Sequence, residues 1–170
     1  MALSAAALVP RPAHASDYQA GYTFGIGGVI GQPTGLSLDF LLGAGHTIQV
    51  DFGFDLWFRD GFVTFANWAW HPMIILSNSV IDMSFHVGAG LFLNFWYHDR
   101  YHEHFCDYDP ATHHYHDCAE VAFGALFPGG LDVFFKGAPV EVYLELAPGF
   151  WFAPFIDFWM YGGIGGRYYF

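Results

Sequence analysis

Residues 81–95 read IDMSFHVGAGLFLNF, and the alternation within them decides the fold. Ile81, Met83, Phe85, Val87, Ala89, Leu91, Leu93 and Phe95 form one set, and Asp82, Ser84, His86, Gly88, Gly90, Phe92 and Asn94 the other. Period two is the mark of a strand with unlike faces. Soluble strands usually run to about five or six residues, whereas a strand crossing a bilayer at a slant needs about 9–11. The same alternation holds at Thr47–Trp57, where Ile48, Val50, Phe52, Phe54 and Leu56 oppose Thr47, Gln49, Asp51, Gly53 and Asp55.

Outward from this stretch, eight alternating segments can be marked: 21–31, 35–43, 46–58, 61–71, 79–97, 119–135, 139–151 and 154–170. Short connections rich in turn formers separate most of them, as at Gly31–Thr34, Arg59-Asp60-Gly61 and Lys136–Pro139. Every apolar run is interrupted by glycine, aspartate or proline before the ~18 residues of a membrane helix. The predicted fold is therefore all-β, an eight-stranded antiparallel up-and-down transmembrane β-barrel. An even set can close without an edge, and lipid demands closure because each unpaired backbone group costs several kcal/mol there.

Composition agrees. The chain has 170 residues, 54% hydrophobic and 21% aromatic, with Lys+Arg 5 against Asp+Glu 16 and a net charge of −11. Such hydrophobicity excludes a disordered acidic chain, and five scattered cations exclude a nucleic-acid surface. Greasy and acidic together make sense if the acids face inward. Asp39, Asp51, Asp55, Asp82, Glu120, Asp132, Glu141, Glu145 and Asp157 all fall on the more polar face of their strands. In strand four both Phe62/Thr64/Ala66/Trp68/Trp70 and Val63/Phe65/Asn67/Ala69/His71 fit an outward face, so its register stays open. Two aromatic girdles are expected, with Trp57, Trp96 and Trp151 at one rim and Trp68, Trp70, Tyr168 and Phe170 at the other.

Residues 1–15, MALSAAALVPRPAHA, read as a truncated signal peptide ending in Ala13-His14-Ala15, with 16–170 forming the barrel. Export suits a disulfide between Cys106 and Cys118 in the long connection 98–118.

The closing positions Ile156, Phe158, Met160, Gly162, Ile164, Gly166, Tyr168 and Phe170 resemble the last strand of bacterial outer-membrane proteins. The whole layout is similar to the small outer-membrane proteins A and X. GIGGVIGQPTGLS at 25–37, APVEVYLELAPG at 138–149 and GGIGGRYYF at 162–170 resemble an uncharacterised barrel family also found in spirochaetes. These resemblances imply a cell outer-membrane location with lipid and lipopolysaccharide around the barrel, and recognition of the last strand by the outer-membrane assembly machinery. They also imply periplasmic termini. The turns at 31–34 and 59–61, the segment 98–118 and a bend near 152–153 would then face outside, and 43–45, 72–78 and 136–139 the periplasm. No catalytic residue carries over.

Two places invite chemistry. The segment 98–118 holds six of the ten histidines beside five acids. His102, His104, His114 and His116 are its candidate ligands for Zn, Cu or Ni; equally, these histidines could simply face water, or meet an extracellular protein. Inside the barrel, Arg167 is expected among Asp39, Glu141, Glu145 and Asp157. Asp82, Ser84 and His86 share a face, but i,i+2 neighbours stand about 7 Å apart, so a Ser-His relay needs a partner from another strand. The expected role is a non-enzymatic barrel displaying an acidic, histidine-rich loop for structure or adhesion. A small lipid-modifying enzyme and a narrow passive pore are the alternatives.

Overall fold

In a computed structural model that describes residues 21–55, 61–96, 107–109, 114–116, 121–153 and 156–170, the alternating segments form antiparallel strands. They are β1 (Phe24–Gln32), β2 (Thr34–Gly43), β3 (His46–Asp55), β4 (Gly61–Ser77), β5 (Ile81–Trp96), β6 (Asp107–Asp109), β7 (His114–His116), β8 (Val121–Leu126), β9 (Gly129–Phe135), β10 (Val140–Ala153) and β11 (Asp157–Tyr169). Strands β1 to β5 pair in sequence, β5 pairs with both β8 and β9, and both of these pair with β10. β10 pairs with β11, and β11 returns to β1 from Gly25↔Tyr169 to Gln32↔Gly162. The nine-stranded sheet therefore closes. β6 and β7 make a separate ribbon.

Nine strands fill eight positions because β8 and β9 are one stave broken at Phe127-Pro128. Proline has no N–H to give a ladder. Its carbonyl still accepts from the Gly88 N–H at 2.8 Å, and the Phe127 N–H donates to the Pro148 carbonyl at 2.9 Å. The single strand expected over 119–135 is in this respect corrected. So is the turn expected over 72–78: β4 runs on to Ser77, absorbing Pro72 through register shifts between Trp70 and Met73 and between Ile74 and Leu76. At the β2–β3 turn, Gly43, Ala44 and Gly45 take φ of 86°, 53° and 73° in succession, a left-handed run for which two glycines are suited.

Side chains on the outer wall are apolar all round the ring, with Ile30, Leu91, Leu144 and Ile164 each more than half exposed. Strand four resolves with Val63, Phe65, Asn67, Ala69 and His71 inside and Trp68 and Trp70 outside. His71 decides it, since inside its ring reaches the Gly45 carbonyl and Asp132, partners that the apolar wall would not offer. Outside, the His46 ring stacks on Trp68 and Trp70, with centroids 5.3 and 6.2 Å away.

The lumen is filled in three layers. At the end carrying Gly21 and Phe170, here the terminal end, Tyr22, Leu41, Phe134 and Tyr169 form a cap, with Tyr22–Phe134 and Phe134–Tyr169 centroids 5.8 and 6.0 Å apart. Toward the opposite end, Val63, Phe65, Phe92, Ala122, Leu126, Ala147, Trp151 and Tyr161 form a plug. Its rings meet largely edge to face, Phe65–Tyr161 at 4.8 Å and Phe92–Trp151 at 5.1 Å. Trp151 is thus a buried lumen residue and not a member of the outer girdle. Trp57 lies outside the described residues. Between cap and plug sits a polar layer.

Candidate functional site: the polar layer of the lumen

Large polar side chains reach the barrel axis because glycines on adjacent strands leave room. A Cβ on Gly25 would come within 2.6 Å of the Tyr169 ring, and one on Gly130 within 2.6 Å of the His86 ring. Gly165 makes the same space for Tyr143. In a narrow eight-stranded interior, filled by its own side chains, small residues on one stave admit rings from the next.

Arg167 of β11 is fully enclosed. Its Nε donates to Ser37 Oγ at 2.8 Å, its Nη1 lies 3.5 Å from Glu141 Oε2, and its Nη2 lies 3.9 Å from Asp51 Oδ1. The guanidinium carbon stands 4.0 Å above the Tyr143 ring, whose hydroxyl donates to Ser37 Oγ at 2.9 Å. The Tyr169 hydroxyl bonds both Glu141 Oε2 and, at 2.9 Å, Asp39 Oδ2. With its amide oxygen toward Arg167 Nη1 and its nitrogen toward Glu145 Oε2, Gln49 makes both contacts at 3.2 Å.

Glu145 leads to a second cluster. Its Oε2 is 3.2 Å from His86 Nε2, and His86 Nδ1 is 2.7 Å from Asp132 Oδ2. His71 Nε2 lies 3.4 Å from the same Asp132 oxygen, and His71 Nδ1 lies 3.1 Å from the Gly45 carbonyl. One connected path therefore runs from Asp39 on β2 to Gly45 in the β2–β3 turn. Among the described residues five buried carboxylates, Asp39, Asp51, Asp132, Glu141 and Glu145, share this layer with one buried guanidinium, that of Arg167, whereas a sixth, Asp55, lies toward the opposite end and accepts from Gln32 Nε2 at 2.9 Å. Such a network holds only while its members are paired, because truncating one partner of a buried pair leaves the other uncompensated, at about 3–5 kcal/mol.

The residues expected around Arg167 divide. Asp39, Glu141 and Glu145 belong to the network, together with Asp51, Ser37, Gln49, Tyr143 and Tyr169, which the sequence reading did not place beside Arg167. Asp157 does not belong: it is exposed at the far end of β11, where its Oδ1 accepts from the Phe158 N–H at 2.8 Å. Asp82 sits at the terminal rim instead of deep in the lumen, 2.9 Å from Lys136 Nζ. Glu120 lies outside the described residues.

Ser84 and His86 do find a common partner on a neighbouring strand, Asp132 of β9, where the Ser84 hydroxyl donates to Oδ2 at 3.4 Å. Both nitrogens of His86 nevertheless face carboxylates, and all three side chains are sealed. A serine relay needs the hydroxyl on the imidazole, so the described residues do not assemble one. His102, His104, Cys106 and Cys118 lie outside the described residues. His114 and His116 fall in β7, opposite Asp109 and Asp107 in the ribbon register.

No protein-family profile and no curated protein sequence matches the chain. Among solved structures it is similar to the N-terminal β-barrel domain of OprF from Pseudomonas aeruginosa, with a TM-score of 0.53 and 13% identity. The match covers 86% of this chain and 95% of that one. At this identity the likeness speaks for the fold: a small closed antiparallel barrel.

Proposed function

We propose that the chain is a sealed, non-enzymatic barrel of the outer membrane, with its terminal end in the periplasm and the segment 98–118 presented outside. In this reading residues 1–15 serve export, and the last strand is what the assembly machinery recognises. An apolar wall round the whole ring, with the buried carboxylates kept inside, supports a lipid surround, since charge on the lipid face costs roughly 2–4 kcal/mol near midplane for Arg or Lys. The observation that carries the sealed reading is the filled lumen, in which an aromatic plug and an aromatic cap enclose the polar layer. The barrel then works as an anchor. An outside protein or a Zn, Cu or Ni ion would meet His102, His104, His114 and His116, and a Cys106–Cys118 disulfide would brace their loop.

Reconstitution in planar bilayers tests this reading: no conductance steps are expected, and reproducible single-channel steps would favour a pore. Protease added to intact cells should cut within 98–118, whereas protection of that segment would contradict its outward display.

A further inference from the structure

As neutral rings, His71 and His86 each fall one donor short of the acceptors they face. An imidazole that is neutral offers one N–H. His71 Nδ1 faces the Gly45 carbonyl at 3.1 Å, an acceptor only, which fixes its proton there and leaves Nε2 pointing at Asp132 Oδ2 from 3.4 Å. His86 faces Glu145 with Nε2 at 3.2 Å and Asp132 with Nδ1 at 2.7 Å. Each ring thus meets an acceptor at both nitrogens. Two positive charges complete the arrangement, as two ring protons or as one divalent ion, in a layer whose buried carboxylates outnumber the buried guanidinium of Arg167.

We propose that His71 Nε2, His86 Nδ1 and Asp132 hold one Zn²⁺ inside the barrel. Their ligand atoms lie within 4.8 Å of one another, and all three residues are buried. Zinc at ~2.0–2.1 Å from tetrahedral ligands sets those ligands about 3.4 Å apart, the spacing of His71 Nε2 from Asp132 Oδ2. The His86–Asp132 pair, at 2.7 Å, opens by about 0.7 Å to reach it. The Asp132 oxygen that both rings approach is Oδ2, and its other oxygen, Oδ1, is buried and carries no hydrogen bond among the described residues. The outer contacts are those a metal-bound histidine uses: a carboxylate on the far nitrogen of one ring and a backbone carbonyl on the far nitrogen of the other. A water would complete the four-coordinate set. This site is separate from the histidines of segment 98–118, lying on β4, β5 and β9 near the terminal end.

The test uses the full chain with the six histidines between His98 and His116 replaced by asparagine, so that any retained metal cannot be held by that segment. Refolded with Zn²⁺ and passed through gel filtration, it should retain one zinc per chain by elemental analysis; none above background would overturn the proposal. On that background, folding is checked by heat-modifiable gel mobility. His71→Asn and Asp132→Asn should lose the metal, and Glu145→Gln should weaken it roughly 10–100-fold against a chromophoric chelator. Unchanged zinc in folded His71→Asn and Asp132→Asn would also overturn it. Should neither variant fold, Co²⁺ in place of Zn²⁺ decides: intense tetrahedral visible absorption supports the site, and a pale octahedral spectrum contradicts it.

Discussion

The two halves of the lumen are walled alike and filled differently. Near the terminal end the interior is a connected polar layer hung on Arg167, Glu141, Glu145 and Asp132; beyond it, Phe65, Phe92, Leu126, Trp151 and Tyr161 pack as they would in a soluble core. The wall chemistry on the outside does not change between them. A barrel in lipid must keep its outer face apolar along its length, while its inside is free to close by interdigitation or by hydrogen bonding. Glycine serves both: Gly124 admits the Phe92 ring in the plug, as Gly25 and Gly130 admit Tyr169 and His86 in the polar layer. The difference lies in how each half should fail. A plug residue loses contacts of its own, but a network residue strands its partners.

Arg167→Ala should show the largest effect, about 3–5 kcal/mol of lost stability in urea titrations of the folded barrel, because Glu141 and Asp51 lose their buried cationic partner. The double variant Arg167→Met with Glu141→Leu should lose less than Arg167→Ala alone. If the double variant loses more, the network is not a unit. Leu126→Ala in the plug should cost about 2–3 kcal/mol, the cavity cost of a sealed aliphatic site, and no second substitution should rescue it by removing a charge. Smallest of all is Asp157→Asn, expected within about 0.5 kcal/mol because the side chain is exposed and outside the network.

Much of this barrel can be read from alternation alone. The inward set of β5 from Asp82 to Asn94, the inward acids of β3 and β10, and the closed antiparallel ring all follow from period two and the impossibility of an open edge in lipid. Trp151 shows a signal passed over: it shares the parity of Glu141 and Glu145, so alternation already points it inward, but an aromatic near a strand end suits a girdle equally well. Pro128-Gly129-Gly130 likewise marks the break between β8 and β9. What alternation cannot supply is which residues on different strands meet. The pairings Ser84↔Asp132 and His86↔Gly130 arise from interstrand register, and His71 joins them only because β4 runs on past Trp70. The partners of Arg167 depend on closure between β11 and its neighbours in the same way, which is why Asp51 enters the network and Asp157, at the opposite end of the same strand as Arg167, does not.

The central claim is that lipid touches the outer wall while the plug and the acids look inward. Single-tryptophan variants, the other tryptophans replaced by phenylalanine, test it directly in bilayers of brominated lipid. Fluorescence of the variant keeping Trp68 should be strongly quenched, and that of the variant keeping Trp151 should not. Strong quenching of Trp151, or a Trp68 indifferent to bromine, would contradict the account.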